Sequence, residues 1–336
     1  MLTLFSIPKP FRGHIAIIQR NAIRSWTLLQ PACEIILFGD DENTAEVAAE
    51  FGVRHVPGVT RNEYGTPLVS DLFKQAQRLA TYKLLCYVNA DIILLSDFLA
   101  TARRIPFRRF LMVGRRWDVD LDRPWDFDHP DWERRLREYV RNNGKVHPPT
   151  GTDYFVFTPG LWERIPPFAI GRPAWDNWMI YEARASGAAV IDATRAVMAI
   201  HQNHDYAHIP DGVTGLWKGP EAQRNLALAG GYEHVFILTD ATWLLTPRWL
   251  VPALTREHLR RRWVVHSMQG LRLARQGLRA YREGRSRQAV EYFIKALRHS
   301  PLLLFNWRGI SKVVYSIVGG RLMARYRNWR HRTYQR

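Results

Sequence analysis

Two stretches of the chain place acids and histidines where they could bind a divalent cation. In YVNADI, Asn89 and Asp91 follow an apolar run that has the length of a strand. Much later, HQNHDYAH holds His201, His204 and His208. Carboxylate and imidazole groups are common cation ligands. A strand that reaches water and turns would use Asn and Asp equally well, and a solvated loop could hold the histidines, so neither pattern alone decides between the two interpretations.

A third candidate is Asp176, which opens the predicted helix WDNWMIYEARASG. The helix dipole favours an anion at this end of a helix. A carboxylate there could take a proton from a substrate hydroxyl. Asp is also an ordinary N-cap residue, so a purely structural role is the alternative.

The elements that must position these residues alternate in type through the first hundred positions. Strand-like runs are TLFSI, CEIILFG, VRHVPGV and KLLCYV, and helical runs are HIAIIQRNAIRSWTLL, ENTAEVAAEFG and GTPLVSDLFKQAQRLA, the last with Thr66 as N-cap and Pro67 in the first turn. This order predicts an α/β fold, a mostly parallel sheet with helices on both faces. Ligands of such sheets lie at the carboxyl ends of strands. The residues expected at those ends are Asp40, Asp41, Asn89 and Asp91.

The middle of the body, residues 103–149, is less regular. It contains a strand in FRRFLMVGRRW and an acidic, aromatic stretch, DVDLDRPWDFDHPDWERRL. This region is either an insertion that shapes the mouth of a substrate site or a solvated surface loop. After it, TGTDYFVFTPGLW predicts a strand and a turn.

The composition predicts a protein of the reduced cytoplasm. Among 336 residues there are only two cysteines, Cys33 and Cys86, and both lie in apolar strand-like runs, so no disulfide framework is expected. The start MLTLFSIPKPF is typical of a first strand and not of a signal peptide. No apolar run is long enough to predict a transmembrane helix.

The net charge of +17 is confined to one end of the chain. Residues 1–254 carry 28 basic and 28 acidic side chains, whereas residues 255–336 carry 20 and 3. A neutral body with a basic extension, lacking any nucleic-acid motif, argues against a nucleic-acid-binding domain.

The order of these motifs resembles that of the GT-A fold glycosyltransferases, in the family-2-like branch that uses nucleotide-diphosphate sugars. The matching segments are FGDDENT for the nucleotide-contacting turn, YVNADI for the Asp-x-Asp metal motif, TGTDYFVFTPGLWERIPPFAIGRPAWDNW for the acceptor strand and catalytic segment, and WDNWMIYEARASGAAVIDATRAVMAIH for the helix, strand and terminal histidine. The resemblance covers about residues 1–210. It implies a metal-assisted, inverting transfer of a sugar to an acceptor hydroxyl, in the synthesis of cell-surface glycans or glycolipids.

The resemblance also implies a role for each matched residue. Asp176 would be the catalytic base, and Asp91 and His201 would hold a divalent cation, Mn²⁺ or Mg²⁺. The other implied contacts are Pro8, Asp40, Asn89 and Asp91 to the donor, Asp153, Tyr154 and Trp175 to the acceptor, and His204 to the diphosphate.

The chain departs from the family's pattern at two positions. Asn89 replaces the first acid of the metal motif, and Trp175 stands where an acid commonly precedes the base. The uncharged Asn89 supports an alternative function, a catalytically impaired scaffold or binding protein, whereas the retained Asp176 and His201 favour an enzyme. A sugar nucleotidyltransferase is disfavoured because SIPKP lacks the glycine-rich basic loop of that class.

The C-terminal region has a different character from the body. ARQGLRAYREGRSRQAVEYFIKALRHSP resembles a single tetratricopeptide repeat, which predicts a helical segment over residues 255–301, with a plain helical hairpin as the alternative. Residues 302–336 mix aromatic, aliphatic and basic side chains, the pattern of an amphipathic helix on an anionic membrane surface. We therefore expect peripheral contact with the inner face of a membrane; docking of this basic segment on an acidic groove of the protein is the alternative.

Overall fold

The computed structural model describes residues 1–204 and 217–300. The chain divides into two compact units, the first spanning Met1–Leu254 and the second beginning at Thr255. The predicted amphipathic segment 302–336 and His208 lie outside the described residues.

The first unit alternates strands and helices along most of its length. Its strands are β1 (Leu2–Ser6), β2 (Glu34–Phe38), β3 (Arg54–Val56), β4 (Leu84–Val88), β5 (Ile92–Ile93), β6 (Phe110–Val113), β7 (Arg116–Val119), β8 (Lys145–Val146), β9 (Tyr154–Phe157), β10 (Ala189–Asp192), β11 (Ala199–Gln202), β12 (Trp243–Leu245) and β13 (Leu250–Pro252). Its α-helices are α1 (Gly13–Thr27), α2 (Thr44–Glu50), α3 (Val69–Leu79), α4 (Asp97–Ala102), α5 (Trp132–Asn143), α6 (Trp175–Ala185) and α7 (Pro220–Leu228).

A nine-stranded sheet runs through this unit in the order β13-β12-β10-β6-β9-β4-β1-β2-β3. Strand β1 lies parallel between β2 and β4, and β10 lies parallel between β6 and β12. Strand β9 is antiparallel to both of its neighbours, β4 and β6. The prediction of a mostly parallel α/β sheet is therefore confirmed.

Helices cover both faces of the sheet, as predicted. On one face, Trp26 of α1 and Phe98 of α4 belong to the main apolar core. On the other face, Phe73 of α3 and Trp175 of α6 pack against Tyr87 of β4, with ring centroids 5.5 and 5.4 Å from that of Tyr87. Close-packed aromatic rings deform little, so this packing holds the carboxyl end of β4 rigidly in place.

A second sheet of four short strands, in the order β5-β11-β7-β8, lies in the same unit. Strand β11 is parallel to β7, which places His201 beside Asp118, and antiparallel to β5, which places His201 beside Ile92. Leu136 and Val140 of α5 are buried in the apolar cluster that backs this sheet. The irregular middle of the chain thus supplies β7, α5 and β8 next to the histidines.

Helix α3 begins later than its sequence suggests. It starts at Val69, and Leu68 before it has extended backbone angles. Pro67 pairs with Arg61 in an isolated antiparallel bridge. The prediction of Thr66 as the N-cap is wrong, because this pairing keeps the segment extended.

The second unit contains the helices α8 (Arg256–Arg282) and α9 (Ser286–His299), packed against each other. A Cβ added to Gly277 would lie 3.2 Å from the ring of Phe293, so the glycine permits the close approach of the helices. Ala280, Ala289 and Phe293 form the buried core between them. The tetratricopeptide resemblance of this hairpin stays a prediction. Within residues 1–204 and 217–300, no helix has the length and hydrophobicity that crossing a bilayer requires.

Candidate active site

A cavity of about 680 Å³ opens at the carboxyl ends of β1 and β4. Strand β9 is antiparallel to β4, so the segment 150–153 before it reaches the same edge of the sheet. The first turn of α6 and the end of β11 complete the wall. All of the predicted site residues line this cavity except Asp40 and Tyr154. Residues far apart in sequence therefore meet where the fold predicts a ligand.

The predicted cation ligands lie together in the cavity. Asp91, His201 and His204 each offer one ligand atom, and these three atoms lie within 4.8 Å of one another. Oδ2 of Asp91 is 3.2 Å from Nε2 of His204 and 3.8 Å from Nε2 of His201. The chain holds β11 against the turn after β4, since the side chain of Gln202 donates to the carbonyl oxygen of Asp91 at 3.1 Å.

The carboxylate of Asp91 is charged and only partly satisfied. Burial alone would raise its pKa, but the neighbouring His201, His204 and Lys9 hold the pKa of Asp91 well below its usual range. Its other oxygen, Oδ1, is buried and has no hydrogen-bond partner among the described residues. A buried anionic oxygen without a partner is costly, and a cation beside the two imidazoles would satisfy it.

The side chain of Asn89 is held by hydrogen bonds to Asp153 and Tyr87. Its Nδ2 donates to Oδ1 of Asp153 at 2.7 Å, and its Oδ1 accepts from the hydroxyl of Tyr87 at 2.8 Å. The backbone N–H of Asn89 also donates to the carbonyl of Asp153 at 2.9 Å. An amide side chain therefore fits this position, because its NH₂ group donates to the carboxylate of Asp153 while its oxygen accepts from the hydroxyl of Tyr87.

We expect Asn89→Asp to destabilise the protein and not to improve cation binding, although it restores the first acid of the Asp-x-Asp pattern. The new carboxylate would face Asp153 at the 2.7 Å now spanned by a hydrogen bond. Two carboxylates at such a distance repel each other until one takes up a proton. Urea unfolding at pH 8 should give a free energy of unfolding lower by about 1–3 kcal/mol, with partial recovery at pH 5. Asn143→Asp, on the exposed end of α5, is the matched control, and tighter Mn²⁺ binding by Asn89→Asp would contradict the expectation.

Three polar residues that sequence reasoning missed connect the cation cluster to Asp153. Nε of Arg116 donates to Oδ1 of Asp118 at 2.7 Å, and its Nη1 donates to Oδ2 of Asp153 at 2.6 Å. Nδ1 of His147 lies 2.6 Å from Oδ2 of Asp118. Burial would raise the pKa of Asp118, but its contacts with His201, Arg116 and His147 hold that pKa well below its usual range. The available signal was the alternation in RRWDV, which puts Arg116 and Asp118 on the same side of a strand.

His201 is the point where this network meets the cation cluster. Its Nδ1 is buried and makes no well-aligned hydrogen bond to the described residues, and Oδ1 of Asp118 lies 3.1 Å from it. Its Nε2 faces Asp91. The two nitrogens of one ring thus face two different carboxylates.

Asp176 has the properties of a base that works near neutral pH. Burial raises the pKa of Asp176 to about 7, with a smaller contribution from the charge of Asp153, while the N–H of Asn177 acts in the opposite direction. The helix begins at Trp175, so Asp176 is inside the first turn and not at the N-cap, where Ala174 stands with a positive φ of 81°. Such a conformation is uncommon for a residue other than glycine, so the surrounding packing must hold this turn.

Three predicted contacts are placed differently from the rest. Asp40 is exposed and pairs with Arg61 at 2.7 Å, while its neighbour Asp41 lines the cavity. Tyr154 is completely buried in the main core on the other side of the sheet, beside Phe98. Trp175 borders the cavity but is only 5% exposed, so its ring serves the aromatic core more than an open face for stacking.

The chain is distantly similar to a number of solved structures, two of which are described below. No protein-family profile matches the chain, and no curated protein matches it. Glucosyl-3-phosphoglycerate synthase from Mycobacterium tuberculosis in complex with Mg²⁺ and uridine diphosphate is 11% identical, with a TM-score of 0.42 over 69% of this chain and 80% of that chain. The same enzyme with Mn²⁺, uridine diphosphate and phosphoglyceric acid is 14% identical, with a TM-score of 0.43 over 69% and 79%. Likeness at this level does not define an activity, which has to be inferred from the side chains of the cavity itself.

Proposed function

We propose that this chain is a glycosyltransferase of GT-A type, which moves a sugar from a nucleotide-diphosphate sugar to a hydroxyl group of an acceptor. The observation that carries the proposal is one cavity that contains both three residues able to hold a cation and a partly buried carboxylate, Asp176, whose pKa is raised to about 7. Sugar transfer needs these two functions together. One stabilises the departing diphosphate, and the other removes the acceptor's proton.

The cation cluster suits the diphosphate of the donor. Asp91, His201 and His204 would hold the divalent cation. Oδ1 of Asp91, which has no hydrogen-bond partner among the described residues, supports this assignment. Two imidazoles beside one carboxylate favour Mn²⁺ over Mg²⁺, which prefers oxygen ligands. When bound, the cation would neutralise the charge that develops on the leaving diphosphate.

We assign the nucleotide to the ends of β1 and β2. Pro8, Asp41 and Arg61 line the cavity there, and Oδ2 of Asp41 lies 3.2 Å from the guanidinium of Arg61. Asp41 offers a hydrogen-bond acceptor and Arg61 a donor side by side, which matches the hydrogen-bonding edge of a nucleotide base. Asp40 would act only indirectly, by sharing Arg61 with Asp41.

Asp176 would take the proton of the acceptor hydroxyl while the oxygen of that hydroxyl attacks the anomeric carbon of the donor sugar. The acceptor then lies against α6 and the segment 150–153, where Asp153 lines the cavity. A single displacement with one base, from the face opposite the diphosphate, inverts the anomeric configuration. A product that retains the configuration would contradict this assignment.

A panel of nucleotide-diphosphate sugars tests the function directly. We expect one donor to raise the melting temperature of the wild-type protein in the presence of Mn²⁺ and much less in EDTA, and the same donor to be hydrolysed slowly without an acceptor. Ligand at 100 times its dissociation constant stabilises a fold by about 2.7 kcal/mol, which a melting curve detects. The absence of any donor response would favour the scaffold or binding function instead.

We further propose that the acceptor is presented at an anionic membrane surface, as for a glycolipid or a cell-surface glycan. The support is the charge of residues 255–336, with 20 basic and 3 acidic side chains. Deletion of residues 302–336 should reduce binding to vesicles of anionic lipid in a flotation assay. Vesicles of neutral lipid are the control, and binding unchanged by the deletion would contradict the proposal.

A further inference from the structure

We propose that Asp118 is a positioning residue whose carboxylate fixes the ring orientation of two cavity histidines, His201 in the cation cluster and His147 beside the segment 150–153. This inference rests on the cation site proposed above. It gives a task to Arg116, Asp118 and His147, three partly buried side chains that the proposed reaction does not use.

The β-sheet itself brings Asp118 to His201. The two residues are register partners in the parallel pair β7 and β11, so their side chains leave the sheet at the same height. Oδ1 of Asp118 lies 3.1 Å from the buried Nδ1 of His201. The other ring nitrogen, Nε2, faces Oδ2 of Asp91 at 3.8 Å.

His147 is held by the same carboxylate through the same ring nitrogen. Its Nδ1 lies 2.6 Å from Oδ2 of Asp118, and its backbone N–H donates to the carbonyl of Arg116 at 2.9 Å. The opposite edge of the ring lies against Gly151. A Cβ added to this glycine would lie only 2.9 Å from Nε2 of His147, so no larger residue fits there without a shift of the ring. The imidazole is therefore fixed from both sides.

Arg116 keeps the carboxylate itself in place. It donates to Asp118 at 2.7 Å and to Asp153 at 2.6 Å, and the three side chains are largely buried. A carboxylate accepts hydrogen bonds and donates none, so each imidazole must present Nδ1–H to Asp118. In the neutral ring of His201, the remaining nitrogen, Nε2, then carries the lone pair that can bind a cation beside Asp91. A carboxylate behind a metal-binding histidine is a general way of fixing the ring and its tautomer.

Asp118→Asn tests the role of the carboxylate by isothermal titration of the full-length protein with Mn²⁺ alone. The amide of asparagine accepts hydrogen bonds through its oxygen only, so it cannot accept from Nδ1 of both rings through two separate oxygens as Asp118 can. We expect Mn²⁺ to bind about 10- to 100-fold more weakly, the usual effect of removing a group that orients a metal ligand. His147→Gln leaves Asp118 and His201 in place and should bind Mn²⁺ like the wild type. Asp122→Asn, an exposed carboxylate on the same segment, should also be unchanged.

Nitrogen-15 spectra of the histidine rings in the metal-free wild-type protein give an independent readout. We expect Nδ1 of both His147 and His201 to carry a proton, with the ring signals assigned from those missing in His147→Gln and His201→Gln. An Nε2–H tautomer at His201 would overturn the proposal, as would an Mn²⁺ affinity of Asp118→Asn within twofold of the wild type. If the wild type binds no Mn²⁺, the proposed cation site fails, and the tautomers still decide whether Asp118 orients the rings.

Discussion

Asp176→Asn is expected to reduce sugar transfer by about 10²–10⁴-fold while leaving donor binding nearly intact. The amide has the shape of the carboxylate but cannot take the acceptor's proton. Because the pKa of Asp176 is raised to about 7, the wild-type rate should fall about tenfold per pH unit below that value. Initial rates from pH 5 to 9, with the donor and cation found by the panel, measure both effects.

The same substitution should stabilise the protein at alkaline pH. The pKa of Asp176 rises from 3.8 to about 7 on folding, so the wild-type protein loses stability as the pH increases through this interval. The Asp176→Asn variant lacks the titrating carboxyl group, so its free energy of unfolding does not fall in this way as the pH increases. In EDTA, its free energy of unfolding should match the wild type near pH 4 and exceed it by up to about 4 kcal/mol at pH 8.

Glu182→Gln is the matched control, since it makes the same chemical change on the same helix at a residue that does not line the cavity. It should change neither the rate nor the pH dependence of stability. If Asp176→Asn kept its transfer activity, or if it were destabilised at pH 8, Asp176 would be a structural residue and the base would have to be sought elsewhere.

The sequence predicted the layout of the fold because its local signals agree with one another. Apolar runs of strand length alternate with amphipathic helices, and this pattern has few solutions other than a mostly parallel sheet. Because ligands of such sheets bind at the carboxyl ends of the strands, Asn89 and Asp91 were expected near a ligand site. The start of α3 was misplaced because Pro67 belongs to a bridge with Arg61, a contact that local propensity does not contain.

Strand alternation explains why one of two adjacent predicted contacts lies in the cavity and the other does not. Asp153 and Tyr154 stand at the start of β9, where successive side chains point to opposite faces. Asp153 reaches the cavity and Tyr154 enters the core, so the two could not both have contacted an acceptor. The sequence contained this information, since TDYFVF reads as a strand with Tyr154 inside it.

Long-range pairing explains what the sequence could not supply. Asp118 reaches His201 only because β7 pairs with β11, and nothing local to either strand specifies that partner. The role of Asn89 is hidden for the same reason. The sequence shows only that Asn89 is uncharged where the Asp-x-Asp pattern has an acid. The structure adds that its amide donates to Asp153 at 2.7 Å, a contact that a second carboxylate could not make.

Asp91→Asn should abolish cation binding, because it removes the one carboxylate that the described residues supply to the cluster. We expect the dissociation constant for Mn²⁺ to rise more than about 100-fold, beyond the usual effect of changing a group behind a ligand. Transfer should fall with it, and the stabilisation that Mn²⁺ gives the wild type in melting curves should disappear. Asp128→Asn, an exposed carboxylate paired with Arg24, is the control and should behave like the wild type. Retained Mn²⁺ affinity in Asp91→Asn would place the cation elsewhere, whereas lost affinity with full transfer activity would show that the sugar is transferred without a metal.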